Sequence, residues 1–88
     1  MTEPPPKIVF PCPYPIKVLG RAGENFQPAV MRIFNERAPG FEPGDVVIKD
    51  SRKGTFQSIT ITIEAQSEEQ LRLIHQHLMD TGLVSMVL

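Results

Sequence analysis

Four groups of residues in this sequence have side chains that can do chemistry. Cys12 is the only cysteine. A reactive thiolate wants a helix N-terminus or a nearby cation to stabilise it. Cys12 sits instead in Phe10-Pro11-Cys12-Pro13-Tyr14-Pro15, an extended proline-rich segment with no base beside it. It reads as an inert, partly buried thiol. His75 and His77 stand two residues apart, so on a helix they point to different sides and do not chelate one ion. An iron–sulfur cluster takes about four cysteines, and a C-x-x-C pair is also missing. No metal, cofactor or catalytic residue is assigned. Arg21 lies in Gly20-Arg21-Ala22-Gly23, ahead of a helical pattern. Backbone N–H groups at a helix start attract anions, so Gly20, Arg21, Ala22 and Gly23 form a candidate loop for a small anionic metabolite. A plain strand-to-helix turn is the alternative. The fourth group is Phe56 with Ser58, Thr60 and Thr62, which share one parity along a strand. Base stacking needs aromatic residues there, and only Phe56 is one.

The elements that position these residues follow from periodicity. Ile16 to Gly20 reads as a first strand, with Ile16 and Val18 on one face and Lys17 and Leu19 on the other. From Glu24 to about Arg37, the residues Phe26, Ala29, Val30, Ile33 and Phe34 make an amphipathic helical stripe. Pro28 requires that this helix begin close before it. Asp45 to Arg52 reads as a second strand, with Val46 and Ile48 facing in, and Lys53-Gly54 as a hairpin turn. In the third strand Ile59, Ile61, Ile63 and Ala65 alternate with Ser58, Thr60, Thr62 and Glu64, so one face is buried and the other carries no helices. Ser67-Glu68-Glu69-Gln70 is a capping box. Leu71, Ile74, His75 and Leu78 form the inner stripe of the second helix, which makes His75 a half-buried packing residue. Gly82 is its left-handed terminator. Leu83 to Leu88 is the last strand, with Val84, Met86 and Leu88 on one face.

Two helices and four strands in the order β-α-β-β-α-β predict an α+β fold, the ferredoxin-like two-layer sandwich. The crossovers are expected to place strands one and three side by side and parallel. The sheet order is 4-1-3-2, rich in antiparallel pairs, with both helices on one face. The uncovered face should carry Lys17, Leu19, Ser58, Thr60, Thr62, Ser85 and Val87. Residues 1–9 read as a flexible proline-rich arm and 10–88 as a single domain of modest core.

The formal charge of −1 carries no footprint for nucleic acid or an anionic membrane. No apolar run reaches the roughly 18 residues of a membrane span. The polar, proline-rich first residues are unlike a secretory signal, and a lone cysteine fits a reducing cytoplasm. The expectation is a cytoplasmic protein with neither nucleic-acid nor membrane partners.

Several segments together resemble the YbeD-like family of small uncharacterised bacterial proteins. They are Phe10-Pro11 leading to Lys17-Val18-Leu19-Gly20, then Ala38-Pro39-Gly40, then Ser51, Lys53-Gly54, Phe56 and Ser58-Ile59-Thr60-Ile61. Gln70 and Val84-Ser85-Met86-Val87-Leu88 complete the set. Leu19 replaces the more usual Met, Phe56 the more usual Tyr, and Ser85 a usual basic residue. The resemblance implies a ferredoxin-like fold similar to ACT-type regulatory domains, in which small effectors bind around the first loop at a dimer interface. It implies no activity. The frequent neighbourhood of lipoate-synthesis genes suggests a link to lipoate metabolism.

Fold alone does not specify function. Acylphosphatases resemble this chain in setting an Arg near a glycine-rich first loop. Their longer loop pattern is missing, no Asn lies on strand two or three, and Glu24 would repel a phosphate. The expected function is therefore a non-catalytic regulatory or ligand-sensing domain, with a protein-interaction adaptor second and an acylphosphatase-like enzyme third. Leu83 to Leu88 has no charged side chain, and exposed edges are usually guarded by charge. A homodimer or protein partner is expected through this edge or the adjacent bare face, with Leu83, Ser85 and Val87 as the interface.

Overall fold

The structure, a computed structural model, describes residues 9–88. The expected arm falls almost wholly outside the described residues. The elements are β1 (Cys12–Arg21), α1 (Phe26–Arg37), a single 3₁₀ turn (Pro43–Asp45), β2 (Val46–Asp50), β3 (Phe56–Ala65), α2 (Glu68–Asp80) and β4 (Val84–Val87). The sheet order is β2-β3-β1-β4, which is 4-1-3-2 read from the other edge. The fold is α+β and ferredoxin-like.

The strand directions correct one expectation. β1 and β3 pair antiparallel, not parallel, in a ladder from Cys12↔Ala65 to Arg21↔Phe56. The physical reason is the hairpin. The α1 crossover makes β1 and β2 parallel but leaves a strand's width between them, and β3 returns from the tight β2–β3 turn into that gap. β3 therefore runs against both neighbours, and β4 runs against β1 for the same reason.

One apolar cluster joins the two layers. Ile16 and Val18 from β1 and Ile59, Ile61 and Ile63 from β3 meet Phe26, Val30, Ile33 and Phe34 of α1 and Ile74 and Leu78 of α2. Fully burying a side chain of this size contributes about 1.5–3 kcal/mol. The alternation of β3 thus matches its burial except at Ser58, which is buried although it lies at an outward position. The N-cap of α2 also forms, since Ser67 Oγ accepts from the Gln70 amide at 3.1 Å. The return bond shifts by one residue, because Gln70 Oε1 accepts from the Gln66 amide at 2.7 Å. The Gln70 amide group has a second task. Its Nε2 donates to the Arg37 carbonyl at 2.9 Å, satisfying a backbone acceptor left free at the end of α1. Pro28 is the third residue of α1, within the turn that needs no amide donor. Gly82 takes φ +73° after α2.

β1 starts four residues before the expected strand, because Cys12 to Pro15 pair with β3. Two prolines are tolerated there for a geometric reason. Lys17 bonds Leu88 through both its N–H and its C=O, at 3.1 and 2.8 Å, so its amide points to the β4 side. Pro13 and Pro15 share that parity, and their missing donors fall on a stretch of edge that β4 does not reach.

Three further expectations need correction. A register shift lies between Leu19 and Gly20, where Gly20↔Val84 is followed by Leu19↔Met86 and Val18↔Val87. Ser85 is the extra residue of this bulge, and it reverses the parity after it. Val84 and Val87 therefore share the helix side, where Val87 packs against the core. Met86 and Leu88 belong to the uncovered face, so the expected places of Val87, Met86 and Leu88 are exchanged. Second, Ile48 faces the helix side but is 42% exposed, because β2 is an edge strand lying beyond the helices' cover. Third, His75 is exposed. The α2 stripe stops at Leu71, Ile74 and Leu78, and the half-buried imidazole is that of His77, whose Nε2 lies 3.1 Å from an Arg37 guanidinium nitrogen.

Candidate functional site

The four loop residues singled out from the sequence do not converge. Gly20 is buried at the end of β1, and a Cβ built there would run into the Leu83 carbonyl and the Phe26 ring. Its lack of a side chain serves close packing. The Ala22 amide donates to the Thr55 carbonyl at 2.9 Å, and the Phe26 amide to the Gly23 carbonyl at 3.3 Å. These donors are therefore already engaged within the chain. Arg21 pairs with Phe56 at an outward-facing register position, so its side chain leaves on the sheet side away from α1. Only Gly23 stands in open space. The loop thus offers a small anion little beyond an exposed arginine.

Cys12 is half-buried in β1 opposite Ala65. It lines an open cleft of about 450 Å³ with Pro11, Phe41 and Asp45. Among the described residues no group of three or more His, Cys, Asp or Glu side chains is placed to hold a metal ion. Among the described residues no helix is long and apolar enough to cross a membrane. Every buried side-chain nitrogen or oxygen among the described residues has a hydrogen-bond partner. No orphaned polar group therefore marks an interior ligand site.

The uncovered face of the sheet is the surface with unusual content. Its cross-strand rows follow from the registers. One row runs Met86, Leu19, Ser58 and Lys49, and the next Leu88, Lys17, Thr60 and Val47. Arg21 and Phe56 stand beside the first. Leu88 is 63% exposed, Met86 51%, Val47 48% and Phe56 46%. Met86 of β4 and Leu88 just after it are neighbours, while Val47 lies on the opposite edge and Phe56 at the end of β3. Exposed apolar side chains thus rim this face around Leu19, Lys17 and Thr60, and exposed apolar surface rimmed with polar groups marks an interaction site. At one corner β4 adds an open edge, since Leu83 to Leu88 is free of charge and Leu83 is itself 36% exposed. Ser85 is exposed in the bulge. Of the three residues expected to form an interface, Leu83 and Ser85 are thus accessible, whereas Val87 is turned to the core.

The same face is charged in a way that the net charge of the chain conceals. Lys17, Arg21 and Lys49 are exposed on it, and Arg52 and Lys53 lie in the β2–β3 hairpin at its Phe56 end. The one carboxylate at an outward register position is Glu64, at the far end. None of these five cations is in an ion pair among the described residues. The pairs that form are Arg32–Glu36 at 3.7 Å and Arg72–Glu69 at 3.8 Å, both on the helices. Asp50 is turned away and accepts from Gln57 Nε2 at 2.8 Å. Sequence reasoning missed this separation because it weighed total charge. The signal was present in the odd-numbered positions of β1, where Lys17 and Arg21 share the parity of Leu19.

Comparison with known proteins agrees with the fold. Residues 5–88 match the family model described as a protein of unknown function, DUF493. A UPF0250 protein of Ectopseudomonas mendocina is 49% identical over 85 residues, spanning 96% of this chain and 92% of that one. A UPF0250 protein of Pseudomonas aeruginosa strain UCBPP-PA14 is 48% identical over 85 residues, spanning 96% and 91%. One from Nitrosomonas europaea is 37% identical over 81 residues, spanning 92% and 93%. Among solved structures, the solution structure of protein HP0495 from H. pylori superposes with a TM-score of 0.77 over 94% of this chain and 87% of that chain. The sequence identity is 19%, so this likeness speaks to fold alone.

Proposed function

The chain belongs to the DUF493 (UPF0250) family, and from that premise we propose that it is a non-catalytic regulatory domain that works by docking a protein partner. Its working surface in this reading is the uncovered sheet face with the adjoining β4 edge. The observation that carries it is the set of exposed apolar side chains, Met86 on β4 and Leu88 just after it, Val47 on β2 and Phe56 on β3, around a sheet face that no helix covers. Burying such side chains against a partner is worth about 25 cal/mol per Å² of apolar area removed from water. Size sets the class of complex. Strands of ten, ten, five and four residues, about 4.8 Å apart with a rise of about 3.3 Å per residue, give a face of roughly 450 Å². A standard interface takes about 800 Å² per partner, so this face fits a transient, reversible contact. The lone Cys12 supports a reducing cytoplasm as the place of action.

Site-specific photo-crosslinking in living cells tests the reading. A benzophenone side chain replaces Thr60, at the middle of the face, or Gln76, exposed on α2. A discrete protein adduct from position 60 and none from position 76 is expected. Equal labelling from both positions, or none from position 60, would overturn the assignment of the face.

A further inference from the structure

The charge pattern of the uncovered face narrows the partner, an inference that rests on the docking role proposed above. Lys17 lies between Leu88 and Thr60 in one cross-strand row, and Lys49 and Arg21 flank Ser58 and Phe56. All three cations are exposed, and none has a carboxylate within ion-pair distance among the described residues. The stems of such side chains cover apolar surface while their heads stay in water. A complementary surface must therefore bring carboxylates to three points around apolar contacts. We infer that the occupant of this face is an acidic amphipathic segment of another protein, with carboxylates spaced around an apolar strip.

Two other occupants fit the same face less well. A second copy laid face to face would bring two sets of Lys17, Arg21 and Lys49 into one interface with Glu64 as the one outward carboxylate of each sheet, and like charges brought together at an interface are strongly unfavourable. A nucleic acid would find the cations but hardly a stacking platform, because Phe56 is the one aromatic residue at the outward register positions of the sheet. The other apolar residues of the face, Val47, Leu19 and Met86, are not aromatic, and desolvating them calls for apolar side chains on the other side. The chain as a whole carries −1, so it lacks the broad field that draws a polyanion.

The experiment is an NMR titration of the isotope-labelled full chain with a designed peptide of about 18 residues. The peptide has Leu at helical i, i+3, i+4 and i+7 spacing and Glu elsewhere. The comparison ligands are the same peptide with Lys for Glu, polyglutamate of equal length, and a single-stranded thymidine oligonucleotide. Amide shifts at Leu19, Val47, Thr60 and Met86 are expected with the Glu/Leu peptide and not with the Lys/Leu peptide. The double variant Lys17→Glu/Lys49→Glu, with its folded spectrum intact, should bind about tenfold more weakly, since two exposed ion pairs worth a factor of a few each become repulsions. Any of four results overturns the inference: unchanged affinity in that variant, equal binding of the Lys/Leu peptide, equal or tighter binding of polyglutamate or the oligonucleotide, or shifts confined to the helices. Concentration-dependent line broadening on the same face without any peptide also overturns it, because a second copy is then the occupant. An adduct at position 60 with a partner lacking an acidic surface defeats this inference alone, whereas the absence of that adduct defeats the docking role itself.

Discussion

Lysine placed at two adjacent positions of β4 should have unequal effects, and the inequality follows from the bulge at Ser85. With strict alternation, Val84, Met86 and Leu88 would point into the core and Val87 would face outward. With the observed register, Val87 packs on the core and Met86 is 51% exposed. Met86→Lys keeps a long side chain on an open face and should change stability by no more than about 0.5 kcal/mol. Val87→Lys removes a partly buried branched side chain beside Ile16, Leu71 and Ile74. Full burial of a valine contributes about 1.5–3 kcal/mol, and roughly half of that is at stake here. The lysine can thread its stem out along the edge, which limits the cost of its charge. The expected loss is about 1–2 kcal/mol. For a domain of this size that lowers Tm by roughly 5–15 °C, and at a urea slope near 1 kcal/mol/M it moves the midpoint by about 1–2 M. Urea denaturation of the three proteins followed by circular dichroism reads this directly. If Met86→Lys proves the more damaging of the two, β4 has no bulge and the assignment of the uncovered face fails with it.

Other consequences are independent of that strand. Gly20→Ala should cost about 1–3 kcal/mol by overpacking, because its methyl meets the Leu83 carbonyl and the Phe26 ring; thermal unfolding at wild-type stability would show that the loop simply gives way. Ser67→Ala should lose about 1 kcal/mol with the N-cap bond to Gln70, read as a lower denaturant midpoint with unchanged slope. Gln70→Ala should leave the Arg37 carbonyl and the Gln66 amide without their partner and so raise amide exchange at the C-terminal end of α1 as well as at the start of α2. An effect confined to α2 would show that the bridge between the helices carries no stability.

The places where sequence reading succeeded and failed have a common physical logic. The isoleucines of β3 pair with strands on both sides and lie under helices on one face only, so their period of two survives into the burial pattern. The α1 stripe and the Ser67 cap are likewise local consequences of helical geometry. His75 was misplaced because its position on the stripe is marginal, and where the cover of a helix ends depends on its neighbours. Ile48 kept its expected side but lost its burial, since the width of the helix layer is not written in β2. The segment with Pro13 and Pro15 reads as extended in sequence, outside the first strand. Only the position of β4 reveals that their missing donors face open edge.

The sequence by itself determined the element order, the two apolar helix stripes and the buried row of β3, because these rest on periodicities of one chain segment at a time. From them the layering followed, with an uncovered sheet face behind the core. The antiparallel direction of β3 against β1 was implicit in the element order through the β2–β3 hairpin. Tertiary structure alone decided the bulge that exchanges Val87 for Met86 and the gathering of Lys17, Arg21 and Lys49 around exposed apolar residues. Each of these depends on register between strands far apart in the chain. Register is set by where crossovers and turns deliver a strand, and a shift of one residue carries every later side chain to the opposite face.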